Sequence, residues 1–135
     1  MNGKFSDPQR DLYNAVLDVH RKCVSLCRED ADLSLDRLHS VAESGLRENL
    51  QQLGFDVSHD VLLPSFAFSL LFLFSLNVIN IMLTYQAMGI LFPHHLGHYV
   101  GLDVHDCPGY SRSYSLKAGQ CITVEPYVTL DPPPP

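Results

Sequence analysis

Hydrophobic residues recur at three- and four-residue intervals through the first fifty positions and then change character. Leu12, Ala15, Val16, Val19, Cys23 and Leu26 fall on one side of a helix, with Arg10, Asp11, Asp18, Arg21 and Lys22 on the other. Ser6-Asp7-Pro8-Gln9 predicts where that helix starts: either Ser6 and Gln9 form a capping box, or Asp7 caps it with Pro8 at its first position. The run Arg28-Glu29-Asp30-Ala31-Asp32 is a polar break, after which Ser34 or Asp32 can cap a second helix. Its apolar stripe is Leu35, Leu38, Ala42, Gly45, Leu46 and Leu50, and Gly54 stands where a helix C-terminus favours glycine. Two helices with one wet face each need an apolar cover, most simply a sheet.

The pattern then loses its polar half. Between Asp60 and Asp103 there is no Asp, Glu, Lys or Arg, and Ser65 to Met82 is an uncharged run of eighteen residues. That length reaches the lower limit for a bilayer-spanning helix. Pro64 opens the run, Asn77 and Asn80 interrupt it, and no Lys/Arg cluster flanks it to fix an orientation. Three readings stay open: a single membrane span, a buried helix, and a sequence foreign to the surrounding domain. The closing Asp131-Pro132-Pro133-Pro134-Pro135 reads as a frayed polyproline II end.

Composition narrows the class. A chain of 135 residues suits one domain, and 46% hydrophobic against 18% charged residues is globular rather than disordered. Nine Lys+Arg against fifteen Asp+Glu leave a net charge of −6, so there is no basic field for a nucleic-acid partner. The four cysteines, Cys23, Cys27, Cys107 and Cys121, form no CxxC pair. Met1-Asn2-Gly3-Lys4 runs straight into a helix start rather than an apolar leader, which sets the expectation of a reduced compartment. Cys23 and Cys27, four apart, are expected to be small core residues.

Candidate chemistry is concentrated late in the chain. His94, His95, His98 and His105, four of seven histidines, fall within Pro93 to Pro108 together with Asp103 and Asp106. Imidazole is a common metal ligand and titrates near neutrality, so the cluster suits holding a metal or moving a proton. His94 and His98 have the spacing of a zinc helix, but His95 occupies the place of its glutamate. Gly97, Gly101, Val100 and Val104 favour extended chain instead. In a strand, His98 shares a face with Val100, Leu102 and Val104, and His105 joins it only if the chain turns, which Gly101 allows. Downstream, Lys117-Ala118-Gly119 predicts a turn and Gln120 to Val124 a strand ending in Glu125-Pro126. Glu125 is either an exposed surface carboxylate or one of the carboxylates a two-metal hydrolase needs.

His94-His95-Leu96-Gly97-His98-Tyr99-Val100-Gly101-Leu102-Asp103-Val104-His105-Asp106 resembles the signature of the Xaa-Pro aminopeptidases, members of the pita-bread metallopeptidases. Ile122-Thr123-Val124-Glu125-Pro126 is similar to the glutamate strand of that domain. Asn2-Gly3-Lys4-Phe5-Ser6-Asp7-Pro8-Gln9-Arg10-Asp11-Leu12-Tyr13 resembles the approach to its first helix, nearest to the mitochondrial-type branch. The likeness covers about residues 2–54 and 91–127, while 57–90 show no family feature.

This resemblance implies a dinuclear centre, usually manganese, held by two aspartates, one histidine and two glutamates, with a bridging hydroxide as nucleophile. Carried over, it makes His98 the histidine ligand and Glu125 the first glutamate. His94 and His105 become substrate-side catalytic histidines that stabilise the tetrahedral intermediate and assist proton transfer. The aspartates of the pattern belong before Asn2 and the second glutamate beyond Pro135, so two of five ligands are expected here. Ala118 stands where proline is usual, and Tyr127 where glycine is.

The expected fold is therefore α+β: an incomplete pita-bread (creatinase/aminopeptidase-like) catalytic domain over residues 1–135. It is interrupted at about 57–90 by an apolar helical insert that is transmembrane in one reading. If the parent fold is kept locally, the His98 and Glu125 strands pair antiparallel, with His94 and His105 lining the same cavity. The expected function is that of a fragment or variant of a metal-dependent Xaa-Pro aminopeptidase, inactive alone, acting on peptides with proline at the second position. Expected with it are a mitochondrial or cytoplasmic location, membrane contact through 65–82 and an oligomer of the parent-family kind. The competing reading is a non-catalytic membrane-associated or interaction protein.

Overall fold

A computed structural model of the chain describes residues 3–55, 57, 88–103, 105, 107 and 109–129. The expected helical insert at 65–82, Val104, Asp106 and the polyproline end lie outside the described residues. Among those described, no helix is long and apolar enough to cross a membrane.

Helix α1 spans Asp7–Leu26 and α2 spans Leu35–Gln52, joined by a short 3-10 turn at Glu29–Ala31. Ser6 is the N-cap of α1, and its backbone N–H donates to Gln9 Oε1 at 3.0 Å, the reciprocal half of a capping box. Of the two candidate caps for α2, Ser34 is the one used, its hydroxyl accepting from the Arg37 N–H at 3.3 Å. Asp32 instead closes the 3-10 turn in left-handed backbone, φ 49°. Past Leu53, Gly54 takes φ 86°, the Phe55 N–H reaches the Leu50 carbonyl and the Gly54 N–H the Gln51 carbonyl. That 6→1 and 5→2 pairing is a Schellman stop, which a side chain at Gly54 would strain.

The two helices pack through their predicted stripes. Leu35, Leu38, Ala42, Gly45, Leu46 and Leu50 of α2 are all buried, opposite Ala15, Val19 and Cys23 of α1. A Cβ on Gly45 would lie 3.1 Å from Val19 Cγ2, so the missing side chain is what lets the helices approach here. Asn49 Nδ2 donates across the pair to the Ala15 carbonyl at 2.9 Å.

The cover over α2 comes from distant parts of the chain: Val57, Met88, Phe92, Leu96, Tyr99 and Leu116 complete the buried cluster. The Leu116 N–H bonds the Leu33 carbonyl at 2.9 Å and the Asp36 N–H the Arg112 carbonyl at 3.2 Å, tying residues 112–116 to the start of α2. Segments 96–100 and 121–125 run antiparallel, with Tyr99 opposite Ile122. Three backbone bonds join them: Val100 N–H to Cys121 O (3.0 Å), Thr123 N–H to His98 O (2.9 Å) and Glu125 N–H to Leu96 O (2.7 Å).

A continuous sheet was the simplest expectation, yet among the described residues β structure amounts to isolated bridges. The physical reason is visible at the crossing. The His98 N–H donates to the Thr123 hydroxyl at 3.1 Å rather than to a backbone carbonyl. Gly97 lies so close to Thr123 that a Cβ there would collide with the carbonyl oxygen. Pro126 then follows with no N–H to continue the ladder.

Candidate functional site

The antiparallel register sets His98 opposite Thr123 and makes Glu125 its diagonal neighbour on the same face. His98 Nε2 lies 3.5 Å from Glu125 Oε1, with the histidine largely covered and the carboxylate about half exposed. His98 Nδ1 is 3.0 Å from the Tyr99 carbonyl, a contact that places a proton on Nδ1. The Nε2 lone pair is then turned towards the carboxylate. Two electron-pair donors facing each other suit either a shared proton or a cation between them. A backbone carbonyl fixing the far nitrogen is also the usual support for a ligating histidine.

His105 joins this pair. Its ring lies edge-on to His98 with centroids 5.2 Å apart, because the chain bends over Gly101 to Asp103. Both histidines line an open cavity of about 520 Å³ whose other walls include Asp36, Tyr99, Tyr110 and Arg112. Tyr99 and Tyr110 meet edge to face at 4.9 Å, and burial, then Tyr110, pushes the Tyr99 hydroxyl above its ordinary pKa. Tyr99 therefore offers this cavity a proton-bearing hydroxyl at neutral pH.

His94 sits elsewhere. Its ring packs on Tyr127 at 4.3 Å and its Nδ1 lies 2.7 Å from the His95 carbonyl. It lines a cavity of about 260 Å³ with His39, Glu43 and Phe92, and among the cavities lined by described residues none shows the expected sharing with His105. The Tyr127 ring supplies the surface on which it packs. Among the described residues there is no group of three or more His, Cys, Asp or Glu side chains able to hold a metal ion. His98 and Glu125 are a pair of such donors brought together, one ring nitrogen and one carboxylate oxygen, whose chemistry fits a divalent cation.

The periodic reading passed over a second histidine group. His39 of α2 stacks on His95 at 4.6 Å, and His95 Nε2 is 3.2 Å from Asp36 Oδ1. Burial, then the neighbouring His95, lowers the His39 pKa from its ordinary value. The available signal was Asp36 and His39 at i, i+3 on the border of a leucine stripe.

Residues 1–133 match the metallopeptidase family M24, a match that runs through 57–90. Intermediate cleaving peptidase 55 of Saccharomyces cerevisiae is 38% identical over 125 residues, covering 93% of this chain and 20% of the relative. Xaa-Pro aminopeptidase 3 of Homo sapiens is 33% identical over 130 residues, 96% of this chain and 21% of the relative. The chain thus spans about a fifth of the length of these curated relatives. The crystal structure of Icp55 from Saccharomyces cerevisiae lacking its N-terminal 58 residues superposes with a TM-score of 0.68 at 36% identity, over 90% of this chain and 23% of that one. With sequence and backbone agreeing across nearly its whole length, the chain belongs to metallopeptidase family M24.

Proposed function

We propose that this chain is a portion of the catalytic domain of a metal-dependent Xaa-Pro aminopeptidase, a hydrolase that removes an N-terminal residue preceding proline. An atypical apolar stretch lies at about 57–90. The observation that carries this reading is the approach of His98 Nε2 to Glu125 Oε1 at 3.5 Å, with Nδ1 committed to a backbone carbonyl. His98 and Glu125 are the metal ligands in it. Manganese is the metal we propose; divalent cations in such a centre activate water and polarise the scissile carbonyl.

The chain's own residues have separable tasks. His98 and Glu125 present one nitrogen and one oxygen to a common point. His105, edge-on to His98 in the larger cavity, is placed to orient a reacting oxygen and accept or return a proton. His94 faces the adjoining cavity, where Tyr127 braces it as a group for the substrate backbone. The relatives' names supply the substrate class, a peptide with proline at its second position. A mitochondrial setting follows from the same resemblance. The competing membrane or interaction reading rests on residues 65–82, which lie outside the described residues.

Two side-chain ligands hold a dication weakly, so the 135 residues alone are expected to turn over little. Purified chain with manganese should hydrolyse an Xaa-Pro peptide no faster than its His98→Ala form, while weak manganese binding is lost in both His98→Ala and Glu125→Ala. Manganese binding indifferent to both substitutions would remove the assignment. Substantial turnover abolished by His98→Ala would overturn the weakness.

A further inference from the structure

Leu96 stands at the junction between α2 and the His98–Glu125 pair. Its carbonyl accepts the Glu125 N–H at 2.7 Å, and it lies two residues before His98. Its own N–H, on a buried residue, is satisfied by a side chain: His39 Nδ1 at 3.1 Å. His39 is held for that task by ring contacts on two sides, Phe92 at 5.2 Å and His95 at 4.6 Å.

We infer that His39 is a positioning residue, the neutral acceptor that clamps the Leu96 peptide to α2, and that protonating it releases the segment bearing His98. The inference rests on the reading of His98 and Glu125 as ligands only for its functional consequence. The clamp itself depends on Nδ1 being unprotonated. A proton there would set an N–H against the Leu96 N–H and leave a buried donor without its acceptor.

The surroundings keep the ring neutral. The groups facing His39 are His95 from the histidine segment, His94 beyond it, Arg112 from the segment over the start of α2, and Asp36 and Glu43 from α2 itself. Burial disfavours the imidazolium most; His95, His94 and Arg112 act the same way, and Asp36 opposes them. Because the folded pKa lies below the unfolded one, the clamp's contribution is complete above the ordinary value of 6.5 and is lost as pH falls through the folded value.

Backbone NMR of the whole 135-residue chain tests this with two variants. An asparagine side-chain oxygen can take the place of Nδ1 without titrating, so His39→Asn should keep the wild-type Leu96 and Glu125 amide shifts at about pH 8 and lose the shared low-pH movement that tracks the His39 ring, leaving only what the neighbouring histidines contribute. In the wild type the two amides should move together with one midpoint below the ordinary histidine value. His39→Leu should show the low-pH shifts throughout and need about 10-fold more manganese to broaden the His98 ring signals. A Leu96 amide unaffected by His39→Leu, or His39→Asn titrating like the wild type, would overturn the clamp. Should His39→Leu fail to fold, the wild type and His39→Asn still decide it. Manganese without effect on wild-type His98 would refute the ligand assignment alone, since the Leu96 titration needs no metal.

Discussion

The helix pair and the histidine–glutamate crossing are built on opposite principles. Six residues of α2 and three of α1 are buried along continuous stripes, and the capping groups at each helix end are local in sequence. The crossing has one antiparallel bridge between Tyr99 and Ile122, three backbone bonds, and a threonine hydroxyl standing in for a fourth. The first region is stabilised by area removed from water, which tolerates small displacements. The second depends on individual hydrogen bonds whose loss moves His98 directly. A site of this kind borrows its rigidity from the helices beneath it, chiefly through Leu96, Phe92 and Tyr99 in the shared core.

The sharpest way to break the comparison is to attack the helices. Leu46 is fully buried, and Leu46→Ala should destabilise the chain by about 2–5 kcal/mol through lost burial and a cavity. Urea denaturation followed by circular dichroism would measure it, and the manganese response of His98 should disappear in the same transition. A site that outlived the helices would show that it does not depend on them.

A smaller effect is expected from Gly97→Ala. The new methyl meets the Thr123 carbonyl oxygen, which is backbone and cannot rotate away, so the segments must separate. The cost is about 1–3 kcal/mol, the range for overpacking. It should be confined to faster amide exchange at Thr123 and Glu125, with helical ellipticity unchanged. Loss of ellipticity as well would mean that the two regions unfold as one unit.

Least disruptive is Thr123→Val, which keeps the shape and removes the acceptor for the His98 N–H. About 1 kcal/mol should be lost, seen as faster exchange of the His98 amide and weaker manganese broadening. Equal exchange in both proteins would show that the hydroxyl adds nothing to the crossing.

The same contrast governs what could be read in advance. Apolar period and cap chemistry are local, so the α2 stripe from Leu35 to Leu50, the Ser34 cap and the Gly54 stop all follow from neighbours within a few residues. The approach of His98 and His105 was legible because one bend at Gly101 to Asp103 suffices. The antiparallel meeting of His98 with Glu125 was reached through the family resemblance, since their separation in sequence hides it. His39 on His95 escaped notice because a half-buried histidine beside a leucine stripe has no period of its own and acquires a partner only when the chain returns at residue 95. The packing of His94 on the Tyr127 ring has no local signal either, since the two residues stand far apart in sequence. The sheet was overdrawn because alternation cannot show that a threonine side chain will displace a ladder bond.

Cys23 gives the helix pair a chemical clock. Its thiol is fully buried against α2, and burial pushes its pKa up to about 11, so almost no thiolate exists at neutral pH and no reagent can reach it. Cys107 and Cys121 are solvent-exposed. Alkylation by an excess of iodoacetamide therefore separates into an early phase from Cys107 and Cys121, a slower one from half-buried Cys27 and a late one at Cys23. The late rate reports how often α1 lifts from α2, a property that neither metal binding nor turnover reveals.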